Sequence, residues 1–265
     1  MDPLKPLIDA LHAEGRLRVW SLVITAFGDL VQHRGGVIST ARLSAVLSRI
    51  GVEPGTLRTA LSRLGRDGWV ESERVGRTSH YRLSPQGVDR FAPATSLIYA
   101  APYTDAVTLW SLSIVLEGAV PRVCLVPAGQ VVDDADCVVT GTLEQVSPGF
   151  QNMFFDDDMR MALSALAADL STVRQSDLSD PLDAAAARVL LIHRWRRLVL
   201  RYPEPVPDLM PDDAPLTNPR ADMAEVYRAL SPLAEAWLDE DSPALPAMPK
   251  ASADFARRFG KRDRP

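Results

Sequence analysis

Thr56, Arg58, Thr59, Ser62, Arg63 and Arg66 carry the most legible chemistry in this chain. Between them, Leu57, Ala60, Leu61 and Leu64 recur at helical spacing, so the hydroxyls and guanidiniums share the opposite face of one helix. Arginine forks suit guanine edges, and short hydroxyls suit phosphate oxygens. Pro54 fits the first helical turn and Gly68 the stop. The period then changes to two short strands, Trp69 to Val75 and Thr78 to Leu83. Gly76-Arg77 between them reads as a type II′ hairpin turn. Arg74, Arg77, Thr78, Ser79 and His80 then sit on a β-arm, where they can clamp a nucleic-acid backbone or minor groove. Helix followed by hairpin is the pattern of a winged helix-turn-helix. The alternative is a solvated helix face beside an ordinary polar hairpin.

Other chemistry is thin. His12, His33, His80 and His193 lie far apart, and no HExxH, CxxC or GxSxG pattern or phosphate-cradling glycine loop is present. No catalytic residue is assigned and an enzyme is not expected. Asp156, Asp157 and Asp158 suggest a metal, but three consecutive side chains diverge; negative charge at a helix start explains them better. No metal or cofactor is expected. Cys124 and Cys137 are too few for a disulfide framework. No apolar run of about 18 residues would span a membrane. MDPLKPLIDA lacks the basic and apolar regions of a signal peptide, so a cytoplasmic protein is expected.

The net charge of −5 argues against a nucleic-acid partner until its distribution is considered. Residues 1–90 carry 13 Lys and Arg against 9 Asp and Glu, a balance of +4; the remainder, 16 against 25, balances at −9. A basic head on an acidic body confines DNA contact to the head.

The elements that must position this face read in order. A short stripe at Leu7, Ile8 and Leu11 precedes a longer helix from Leu17 to Leu30, broken by Gly35-Gly36. His33 and Arg34 could reach a phosphate, though a capped helix end is the simpler reading. Ser39 or Thr40 caps the next helix, with Leu43, Val46, Leu47 and Ile50 inside. Ser84-Pro85 starts a short helix to Phe91, and Pro93 marks a linker. Val107 to Val115, Arg122 to Val126 and Asp136 to Thr140 read as strands. Helices follow at Met159 to Leu170, from Asp180-Pro181 through Tyr202, and from Asn218-Pro219 to Trp237. Beyond Asp239 the polar, proline-dotted chain reads as a frayed tail.

Three groups of residues resemble the PaaX family of repressors of phenylacetate catabolism. They are SLVITAFGDLVQHRGG (Ser21–Gly36), TLRTALSRLGRDGW (Thr56–Trp69) with VGRTSHYRL (Val75–Leu83), and LLIHRWRRLVLR (Leu190–Arg201) with the later EAWL. The resemblance implies an α+β, multidomain chain. A winged helix-turn-helix would occupy 1–92, a ferredoxin-like, Cas2-like middle domain 95–178, and a helical domain 179–265. It implies a homodimer on double-stranded DNA at an imperfect palindrome, released by an aryl-CoA thioester such as phenylacetyl-CoA. A module of the same fold with another effector, or none, is the alternative. The middle part departs from the pattern: residues 116–121 leave no room for a helix between the first two strands. Glu117 alone would have to serve as a metal-holding carboxylate there. For a thioester, His193, Arg194, Trp195, Arg196, Arg197 and Arg201 form the basic-aromatic cluster outside the head. The competing reading makes Trp195 core and pairs the arginines with the acidic body.

Overall fold

The computed structural model describes every residue except 1, 14, 16, 77, 104–106, 108, 117–119, 130–131, 203–205 and 261–265. Helix α1 spans Lys5–Ala13 and α2 spans Val19–Ala26, continuing as a π-helical turn, Phe27–Val31, and a 3-10 turn, Gln32–Arg34. The predicted single helix to Leu30 therefore changes its winding at Phe27. Gly28 lies in the wide turn, and a Cβ on it would come within 2.2 Å of the Phe91 ring. Gly35 and Gly36, at φ 78° and 75°, then end the run where only glycine is unstrained.

Strand β1 (Val37–Ser39) leads into α3 (Thr40–Arg49), whose cap is Ser39: its Oγ accepts from Arg42 N at 3.2 Å. Helix α4 (Pro54–Arg66) starts on proline and buries Leu57, Ala60, Leu61 and Leu64. Strands β2 (Val70–Val75) and β3 (Thr78–Leu83) pair antiparallel with Val75 opposite Thr78, and β3 takes β1 on its other edge. Gly76 at φ 63° turns the hairpin.

Helix α5 (Pro85–Ile98) corrects the linker expected at Pro93, because the helix runs through that proline. It is capped by Ser84, whose Oγ accepts from Gly87 N at 2.9 Å. Strands β4 (Trp110–Val115), β5 (Arg122–Pro127) and β6 (Cys137–Gly141) form a second antiparallel sheet in the order β5-β4-β6. This corrects the ferredoxin-like expectation for the middle of the chain. In that unit a helix separates the first two strands and a later strand lies between them. Here the short 116–121 link makes the first two strands direct antiparallel neighbours.

The rest is helical: α6 (Pro148–Phe154), α7 (Asp157–Gln175), α8 (Pro181–Val199) and α9 (Pro219–Asp239). Side-chain oxygens of Asp156, Asp180 and Asn218 cap the last three. Asp156 thus has a structural task, accepting from Met159 N at 2.7 Å. Among the described residues no group of three or more His, Cys, Asp or Glu could hold a metal ion. No helix among them is long and apolar enough to cross a membrane.

Helix α8 is buried on nearly every side, from Ala184 through Ile192 and again at Trp195 and Leu198. It packs on α9 and α7 and also on α2, α3 and α5, so a single apolar core runs from Leu4 to Phe259. The frayed tail expected beyond Asp239 is also corrected. Met248 and Phe259 are buried in that core, and Arg258 turns inward with them. Their apolar area outweighs the prolines and charges around them.

Candidate nucleic-acid interface

Burying Leu57, Ala60, Leu61 and Leu64 against α2 and α3 fixes the rotation of α4. Thr56, Arg58, Thr59, Ser62, Arg63 and Arg66 consequently all face solvent. Their local ties are slight. Thr59 Oγ1 donates to Gly55 O at 3.1 Å, and Arg63 lies 3.5 Å from Asp67 in an exposed pair worth little in water. An α-helix with hydroxyls and guanidiniums on its exposed face has the width that a major groove admits.

The β-arm divides. Arg74 is exposed beside the turn, with Nε donating to Gly76 O at 3.2 Å. Thr78, Ser79 and His80 are half-buried, because β3 is the central strand of its sheet. Ser79 O accepts from Thr40 Oγ1 at 2.7 Å, and His80 stands between Ser39 and Glu73. Val75 and Thr78 flank the turn, the exposed Arg74 stands opposite Ser79, and His80 belongs to the middle of the sheet. Arg77 and Glu117 lie outside the described residues.

Behind this face is a buried ionic network that the sequence reading missed. Asp29, fully buried on the π turn, accepts from Arg188 Nε at 2.8 Å and from the hydroxyls of Tyr227 and Tyr99 at 3.0 and 3.1 Å. Burial raises both phenols, so they stay protonated donors. Arg188 also donates to Glu235 at 2.8 Å. Glu235 receives His33 Nε2 at 3.1 Å and Arg34 Nε at 2.7 Å, and Arg34 reaches Asp239 at 2.7 Å. Burial alone would raise the Glu235 carboxyl; hydrogen bonding from His33 and the Arg188 charge hold it at about 2. Burial outweighs Glu235 at His33 and lowers its pKa. His33 and Arg34 are thus spent inside the protein, not on phosphate.

Two further arginines extend the network. Arg258 donates to Gly28 O, Asp29 O and the Tyr227 hydroxyl, each at 2.8 Å. Arg42, buried on α3, donates to the carbonyls of Trp237, Glu240, Leu245 and Pro246 and closes the C-terminus of α9. The available signal was a charged residue inside an apolar run, as Asp29 is in Leu22–Val31; such residues are buried only when paired.

Of the six residues singled out for a thioester, five lie on α8 and Arg201 just beyond it, and among the described residues they turn to different neighbours. Trp195 is fully buried and donates its indole N–H to Ile98 O at 2.8 Å. His193 is buried and shares a 3.0 Å hydrogen bond with Thr25 Oγ1. Burial, helped by the charge of Arg196, lowers its pKa to about 3. Arg196 donates to Ser21 O and Thr25 Oγ1, Arg194 pairs with Asp169, and Arg201 pairs with Asp158 at 2.7 Å. Arg197 is exposed. The space beside His193, Arg194 and Arg197 measures about 10 Å³, room for one water at most. Trp195 therefore cannot line an acyl pocket in this arrangement.

Two family models match the chain: PaaX-like protein over residues 18–87, and the PaaX-like protein C-terminal domain over residues 157–240. Transcriptional repressor PaaX of Escherichia coli (strain K12) is 28% identical, the alignment covering 91% of this chain and 89% of that protein. A solved structure of an uncharacterized Mycobacterium tuberculosis protein is 17% identical with a TM-score of 0.45, covering 82% of this chain and 96% of its own.

Proposed function

The chain belongs to the PaaX-like protein family, and from that premise we propose that it is a DNA-binding transcriptional repressor. The carrying observation is the solvent-facing row on α4 beside the Arg74 arm, set on a head whose charge balance is positive while the rest of the chain is acidic. In this reading β1 to α5 form a winged helix-turn-helix. Helix α4 enters the major groove. Arg58, Thr59, Ser62 and Arg63 face bases, while Thr56, Arg66, Arg74 and Arg77 hold the backbone. Thr78, Ser79 and His80 shape the arm more than they touch DNA.

Two copies pair so that their α4 helices meet half-sites of an imperfect palindrome about one helical turn apart. The acidic body confines DNA contact to the head by repelling DNA elsewhere. The target is an operon for degradation of an aromatic acid of the phenylacetate kind. A CoA thioester such as phenylacetyl-CoA releases the operator by binding the DNA-incompetent state better.

Footprinting on the surrounding genomic DNA, with and without a panel of aryl-CoA esters, tests the whole reading. A protected palindrome that is lost with one ester is expected. Uniform, purely salt-sensitive binding with no protected site would overturn it.

A further inference from the structure

An opening of about 310 Å³ lies where the two ends of the head meet the C-terminal segment. That is the size at which small-molecule sites begin. Gln32 and His33 line it from the turn that leads into β1, and Ser96 and Tyr99 from the end of α5. Arg257, the last residue of the 3-10 turn Ala253–Arg257, and Arg258 just after it close the opening.

We infer that this seam opening binds a small organic carboxylate, with Arg257 as the recruitable cation and Arg258 as the fixed one. The inference rests on the repressor reading, to which it adds a second, separate ligand beside the proposed CoA thioester.

The chemistry follows from the partners. Arg257 pairs with Asp254 at 3.2 Å, both side chains 81% exposed, so exchange of that partner for a ligand carboxylate costs little. A bidentate guanidinium–carboxylate pair is the stronger arrangement. Arg258 lies over the Tyr99 ring at 4.2 Å, anchored from behind by Asp29, Gly28 and Tyr227. Its position is preset, and the ring offers an apolar wall. Ser96 and Ser252 add hydroxyl donors.

The wall also carries polar atoms that are not satisfied. Gln32 Nε2 and His33 Nδ1 are enclosed without a hydrogen-bond partner among the described residues. Leaving such a group unpaired costs about 1–3 kcal/mol. Turning the Gln32 amide onto a bound carboxylate removes that cost. The head would register the event, because Gln32 lies on its entry segment and Tyr99 directly follows its exit helix α5.

Calorimetry on the full chain tests this with benzoate and, separately, inorganic phosphate. Benzoate is expected to bind wild type, at least tenfold more weakly to Arg257→Gln, and not at all to Ser96→Trp, which fills the opening from an exposed position. Both variants should melt with wild type when no ligand is present. No benzoate heat with wild type, unchanged binding by Ser96→Trp, or equally tight phosphate binding would each overturn the site. Ligand-free gel shifts keep the two readings apart. DNA binding without benzoate binding sinks this inference alone, and benzoate binding without DNA binding sinks the repressor reading.

Discussion

Asp29 and Arg188 stand 159 positions apart in sequence, yet they meet at 2.8 Å with neither side chain exposed to any degree. The contact joins the π turn of the head to the central helix of the body. Neither charge could be buried alone, since an unpaired ion inside a protein is far costlier than its pair. Tyr99, Tyr227 and Arg258 complete the shell. The head is thus held at a definite angle to α8 and α9, and that angle sets where α4 points.

Breaking the pair from one side should be severe. Arg188→Met leaves Asp29 buried with a weakened shell, and a loss of about 3–5 kcal/mol is expected. Replacing both partners by apolar residues of similar volume should recover much of that. Urea unfolding of the two singles and the double checks it; a double-mutant loss equal to the sum of the two single losses would mean that the pair is not coupled.

Acid should destabilise the protein through its histidines. His193 falls from 6.5 to about 3 on folding, and His33 is lowered as well. A lowered folded pKa gives stability that is complete above 6.5 and lost as the pH falls below it. Each imidazole contributes a slope of about 1.4 kcal/mol per pH unit within its window. Glu235 adds a second loss between 4.5 and about 2. Melting curves from pH 8 to 5 should show the first decline, and His193→Gln should flatten it.

Gly28→Ala should disturb the seam without touching a charge. Its Cβ would lie 2.2 Å from the end of the Phe91 ring, so the ring or α5 must move. Overpacking of this kind costs about 1–3 kcal/mol. Thermal melting measures it, and Phe91→Leu in the same chain should restore part of the loss.

Cutting the chain after Leu245 should be worse than its polar composition suggests. It removes buried Met248 and Phe259 along with Arg258 from Asp29. Burial of large apolar side chains contributes about 1.5–3 kcal/mol each. A drop in melting temperature is expected; an unchanged value would mean that the tail is not part of the core.

On DNA, Arg58→Ala should relax the preference at one base position by about 1–3 kcal/mol. Arg74→Ala should instead weaken every sequence alike and lower the slope of log affinity against log salt by about 1. Titrations at several salt concentrations, on a specific and a scrambled site, separate the two.

The polar face of α4, its apolar opposite and the hairpin after it were legible in the sequence. Each is a local pattern set by helical period, a proline start and glycine stops. The caps at Ser39, Ser84, Asp180 and Asn218 were legible for the same reason: a side chain within three residues satisfies them. Local pattern could not tell that Arg194, Trp195 and Arg196 would be used up inside the body. Nor could it tell that Asp29, Arg188, Glu235 and Arg258 would find one another. Those outcomes depend on which distant segments share a low-dielectric interior, where an ion must have a partner and the sequence does not say which. The tail beyond Asp239 was misread on the same account, since its few apolar residues acquire a core only after α2, α5 and α9 have come together to build it.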